Sequence, residues 1–144
     1  MFSKACEYGI RAATYIASQS KLSRRVSLKE IADEIDSPVA FTAKILQQLS
    51  RNKIIDSVKG ASGGFEISRS QIDHIKLSHI VYAIDGNNVY VGCGLGLKKC
   101  NASKPCPVHD KFVQIREDLK NMLENTSLDE MTTGLEVGLT YLKR

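Results

Sequence analysis

Four side chains in one short stretch carry donor chemistry: Cys93, Cys100, Cys106 and His109, in the order C-x6-C-x5-C-x2-H. Thiolates are soft ligands for iron–sulfur clusters or zinc, and imidazole can complete either set. Lys98, Lys99 and Lys104 lie among them; nearby cations favour the thiolate and offset a cluster's negative charge. His109 sits one helical turn past Cys106, so both can face one site. Structural zinc sites usually use closer cysteine pairs, which are absent, yet spacing alone leaves cluster and zinc nearly balanced. Cys6 stands apart on an apolar helical face, where a cysteine is usually a small core residue.

A second constellation lies on a helix predicted from about Val39 to Arg51. At 100° per residue, Ala40, Lys44, Gln47 and Arg51 share a narrow arc, with Thr42, Ile45, Leu46 and Leu49 roughly opposite. On an isolated helix the polar arc would be ordinary solvated surface. Its setting changes that reading. Ser27-Leu28-Lys29-Glu30 is a capping-box pattern opening a helix through Ile31, Ala32 and Ile35, which stops at Asp36-Ser37-Pro38. Two extended runs follow, 54–59 and 65–68, joined by Gly60-Ala61-Ser62-Gly63-Gly64 as a tight hairpin. A helix, a tight turn, a second helix and a hairpin make a winged helix-turn-helix. Cations meet phosphates and amides or guanidiniums read base edges, so the expected DNA-facing set is Ser37, Ala40, Phe41, Lys44, Gln47, Arg51, Lys59, Ser62 and Gly63.

These sites need elements to hold them. A first helix, Ser3 to about Gln19, has Ala5, Tyr8, Ala12, Tyr15 and Ile16 on one face and Ser3 as its cap. Leu77, Ile80, Val81 and Ile84 mark a further helix ended by Asp85-Gly86, and 87–104 has no helical period. From Pro107 a long helix carries Val108, Phe112, Ile115, Leu119 and Met122 at alternating four- and three-residue steps, a seam for a partner helix. Ser127 caps a last short helix. The fold is therefore mainly α with a small β wing. Its parts are a winged helix-turn-helix over 1–85, a cysteine-rich loop over 86–106, a dimerisation helix over 107–125 and a C-terminal helix and tail over 126–144.

The 144 residues suffice for one core, and 42% hydrophobic content excludes disorder by composition. The formal charge of +4 suits an anionic partner. The start of the chain lacks a signal-peptide pattern and no apolar run reaches membrane-span length, so a cytoplasmic protein without a membrane partner is expected. No phosphate-loop, dinucleotide or Ser/His/Asp fingerprint appears, so an enzyme is not expected.

These elements, in this order, resemble the family of winged-helix regulators that includes the iron–sulfur-cluster biogenesis repressor IscR and the nitric-oxide-responsive repressor NsrR. The resemblance spans nearly the whole chain. It rests on Glu7-Tyr8-Gly9-Ile10-Arg11-Ala12, on 43–49 in the recognition helix, on the wing 57–65 and on the three cysteines. It implies a homodimeric repressor on a two-fold DNA operator. Cys93, Cys100 and Cys106 would ligate a cluster, 2Fe–2S in the first instance or 4Fe–4S, sensing redox state, nitric oxide or iron–sulfur status. His109 matches the fourth ligand of the IscR-like branch, and Glu7 matches the acidic ligand of the NsrR-like branch. A zinc-bound or metal-free regulator is the alternative that the family also contains. Ala43 and Lys44 replace a Glu-Gln pair of IscR-like members, so their operator preference does not carry over. The first cysteine interval is one residue longer than the family's usual pattern.

Overall fold

The computed structural model describes residues 1–143. Seven helices and one hairpin follow in the order α1 (Lys4–Lys21), α2 (Leu28–Glu34), α3 (Val39–Arg51), β1 (Asp56–Val58), β2 (Gly64–Glu66), α4 (Leu77–Asp85), α5 (Asn88–Val91), α6 (His109–Asn125) and α7 (Leu128–Glu136). This is the mainly helical architecture with a two-stranded wing that the sequence predicts.

Serine caps start three of the helices. The hydroxyls of Ser3, Ser27 and Ser127 accept from the backbone N–H groups of Cys6, Glu30 and Glu130, satisfying donors that a helix leaves orphaned. The reciprocal half of the expected capping box at Ser27 is not made. Glu30 instead accepts from Arg24 at 2.9 Å and from the Tyr15 hydroxyl at 3.1 Å. A charged donor outcompetes a neutral backbone N–H for the same carboxylate.

α2 ends just ahead of Asp36-Ser37-Pro38, as the sequence marks, and does so by a left-handed turn. Ile35 is its C-cap, Asp36 takes φ 54°, and the Ser37 N–H returns to the Ala32 carbonyl. This is the left-handed helix ending that aspartate tolerates. α1 and α3 end alike, through Ser23 and Lys53, both at φ 58°.

The core gathers around α1. Cys6, Ala12, Ala13, Ile16 and Ala17 meet Ile31, Ile45, Leu46, Leu49, Ile80 and Val81. Small residues on α1 let its neighbours approach closely; a Cβ on Gly9 would overlap Ile84. The chain end belongs to the same core. Leu123 and Leu128 are fully buried in it, and residues 72–77 exchange backbone hydrogen bonds with 126–129. Lys21 then pairs with Asp129 at 2.8 Å and Glu136 at 3.2 Å, fastening α7 to the end of α1.

The wing pairs Asp56 with Glu66, Ser57 with Phe65 and Val58 with Gly64. It is fixed to the body by an antiparallel bridge between Phe65 and Val26, the residue just ahead of the helix-turn-helix. Gly64 holds φ +140°, and a Cβ there would come within 2.7 Å of the Val26 carbonyl oxygen. Gly64→Ala is therefore expected to destabilise the fold by ~1–3 kcal/mol, the cost of a strained backbone position. Thermal denaturation measures it; an unchanged midpoint would show that the bridge does not anchor the wing.

Three further features differ from the sequence expectation. α6 begins at His109 with Val108 as its N-cap, two residues past the expected start at Pro107. The region 87–104 contains α5, whose four residues are too few to display a helical period. The long helix does not keep its whole seam free. Leu119 is partly buried against the subunit's own core, Phe112 is partly buried against Gly94 of the cysteine loop, and Leu123, outside the expected seam, is fully buried. Ile115 and Met122 stay 54% and 48% exposed. A straight α-helix drifts from a strict seven-residue repeat, which divides one apolar stripe between two neighbours.

Candidate nucleic-acid interface and cysteine loop

α3 has the orientation its pattern demands. Thr42, Ile45, Leu46 and Leu49 are buried, and Ala40, Lys44, Gln47 and Arg51 are exposed. Lys44 and Gln47 share an open cleft with Ser57 and Phe65, so the recognition helix and the wing present one surface. Lys59 and Ser62 lie exposed on the hairpin, and the Gly63 N–H closes its turn onto the Gly60 carbonyl at 3.0 Å.

Two residues of the expected set have structural work. Phe41 is half-buried and meets the edge of Tyr8, with ring centroids 5.7 Å apart. The Ser37 hydroxyl hydrogen-bonds the Thr42 hydroxyl at 2.7 Å, and Thr42 in turn donates to the Pro38 carbonyl. The motif at residues 7–12 is explained in the same way. Tyr8 packs on Phe41 while Arg11 stacks over its ring at 4.8 Å, a cation–π contact that leaves the guanidinium near the surface.

Sequence reasoning missed Arg25. Its Nε pairs with Glu66 at 3.1 Å and its Nη1 donates to the Ser62 carbonyl at 3.3 Å, holding the wing by its second strand and its tip. No local pattern marks it, because the contact spans 37 residues.

The cysteine loop and the start of α6 bring one pair of donors into contact, Cys100 and His109. The N–H groups of Leu95 and Leu97 hold the Cys93 thiol below its ordinary range, with a smaller contribution from the Cys106 thiol. Cys100 Sγ lies 3.4 Å from His109 Nδ1 at the start of α6. Among the described residues, no group of three or more Cys, His, Asp or Glu side chains is already gathered closely enough to hold a metal ion. The other candidate ligand, Glu7, is on α1 and pairs with Lys4 at 3.5 Å. Cys6 belongs to the core, where it is fully buried, and burial, then the charges of Asp85 and Glu7, push its thiol up to about 12.

A helix-turn-helix with a cationic outer face and an adjoining wing is the architecture of a DNA-binding regulator. The chain belongs to the Rrf2 family, described as iron-dependent transcriptional regulators, whose family model matches residues 2–134. It is a transcriptional regulator and not an enzyme. A helix-turn-helix-type regulator of Aquifex aeolicus is 29% identical over 133 residues, covering 91% of this chain and 90% of that protein. The regulator IscR of Pectobacterium carotovorum is 23% identical over 130 residues, covering 90% of this chain and 77% of its own length. Among solved structures, the global cysteine regulator CymR of B. subtilis superposes with a TM-score of 0.77 at 20% identity, covering 92% of this chain and 96% of that one. IscR of T. potens gives 0.73 at 19% identity, covering 97% and 91%. No helix among the described residues is long and apolar enough to cross a membrane.

Proposed function

We propose that this regulator is a homodimeric repressor whose operator affinity is set by an iron–sulfur cluster on Cys93, Cys100 and Cys106. The observation that carries this reading is the pairing of Cys100 Sγ with His109 Nδ1 at 3.4 Å, in a loop that also carries Cys93 and Cys106. A soft thiolate set joined by one imidazole suits such a cluster in its chemistry, which supplies a redox- and nitric-oxide-reactive centre when bound. The same donors suit zinc. The Cys100–His109 contact favours His109 as fourth ligand over Glu7, which is engaged by Lys4.

The protein's own residues supply the rest. α3 enters the major groove with Ala40, Lys44, Gln47 and Arg51, and Lys59, Ser62 and Gly63 follow the backbone from the wing. Ser37 and Phe41 hold the start of α3 at its docking angle. The loop of 86–106 joins this reading head to α6, the dimerisation helix. Gathering Cys93 and Cys106 onto the Cys100–His109 pair orders the loop and shifts the heads relative to each other. Half-sites lie about 34–36 Å apart, so a small tilt weakens both contacts together.

The test is operator titration of cluster-loaded, metal-free and Cys100→Ala protein at one salt concentration, beginning with anaerobically purified material. Brown or red protein with charge-transfer absorption is expected. Affinity should differ about tenfold or more between loaded and metal-free forms, ~1.4 kcal/mol, a modest allosteric coupling. Colourless protein with one bound zinc would replace the cluster with zinc. Equal affinities for all three forms would leave the loop without a switching role.

A further inference from the structure

One face of α6 runs along the cysteine loop. His109, Phe112 and Arg116, at positions i, i+3 and i+7, line up on it. His109 meets Cys100. Phe112 lies so close under Gly94 that a Cβ there would overlap the ring. Arg116 reaches furthest: its Nη1 donates to the Gly92 carbonyl and its Nη2 to Cys100 Sγ, the latter at 3.2 Å. One guanidinium thus spans the beginning of the loop and its middle cysteine. The sequence places no carboxylate three or four residues from Arg116, so the helix offers it no local ion pair to compete with the loop.

We infer that Arg116 is a positioning residue for the cysteine loop, a forked strap that fixes Cys100 and Gly92 to the long helix and remains a hydrogen-bond donor to the Cys100 sulfur when that sulfur is a ligand. The second half rests on the proposed ligand role of Cys100; the first does not. The planar fork is essential, because the two acceptors lie on different parts of the chain and a lysine ammonium is a point donor. A donor to a ligand sulfur also offsets negative charge and so sets the potential of the group that sulfur holds.

The test uses the full-length protein in two states. In metal-free protein, amide hydrogen exchange across 92–100 is expected to speed up about tenfold in Arg116→Ala, with 4–51 unchanged. Arg116→Lys should remain fast, since it keeps the charge and loses the fork. Wild-type exchange in Arg116→Ala, or full protection restored by Arg116→Lys, would overturn the strap. In reconstituted protein, Arg116→Ala should lower the reduction potential and alter the visible circular dichroism, with Arg116→Lys intermediate in potential. A loaded Arg116→Ala protein with wild-type potential and spectrum would overturn the contact to the ligand sulfur. Failure of the wild type to take up iron would instead refute the cluster reading, while the exchange result would still decide the strap.

Discussion

Ile115→Glu is expected to yield a folded monomer whose operator affinity is reduced by about a hundredfold or more. Ile115 is 54% exposed in the subunit, so the substitution leaves the core intact, and the melting behaviour should change only within the ~0.5 kcal/mol typical of surface sites. In the proposed dimer the same residue lies at the seam with Met122, where an unpaired carboxylate is costly to bury. The surface-site figure therefore applies to the subunit alone, and the wild-type midpoint should exceed the variant's by a concentration-dependent margin. Losing the second reading head removes an effective-concentration gain of ~10²–10⁴. Sedimentation at micromolar concentration and operator titration check both parts. Leu123→Ala is the contrasting variant. Leu123 is fully buried in its own subunit, so it should cost ~2–5 kcal/mol of stability. A dimeric Ile115→Glu protein would place the interface elsewhere.

Operator affinity of the wild type should fall by about a thousandfold between 50 and 200 mM salt. Lys44 and Arg51 on α3 and Lys59 on the wing are exposed, and a dimer presents each of them twice. Each phosphate contact releases about 0.9 of a counterion, so six contacts give a log–log slope near −5. Lys59→Ala should flatten the slope by about one unit for each phosphate that the lysine no longer neutralises, and should weaken binding to operator and unrelated DNA equally. An unchanged slope would remove the wing from the phosphate surface.

How much of this could be read from sequence depended on the distance over which each contact is made. The face of α3 was legible because four buried and four exposed positions follow one 3.6-residue period. The serine caps were legible because each acts within three residues. Glu30 departed from its local pattern because Tyr15 and Arg24 lie beside it only after folding. The clamp of Arg25 on the wing and the reach of Arg116 to Gly92 span 37 and 24 residues, and neither leaves a periodic trace. The cysteines announced their chemistry by type, but the pairing of Cys100 with His109 depends on the path of the loop and on where α6 begins.

The closing of the core by the chain end bears on how the protein is made. Residues 72–77 await backbone partners from 126–129, and Lys21 awaits Asp129 and Glu136. During synthesis, at ~5–20 residues per second, the helix-turn-helix therefore leaves the ribosome seconds before the segment that completes its packing. A nascent chain stalled before α7 exposes Ile72, Ile75 and Leu77, and quality control would meet it as an unfinished protein. The core behind α3 thus closes fully only when α7 has joined it.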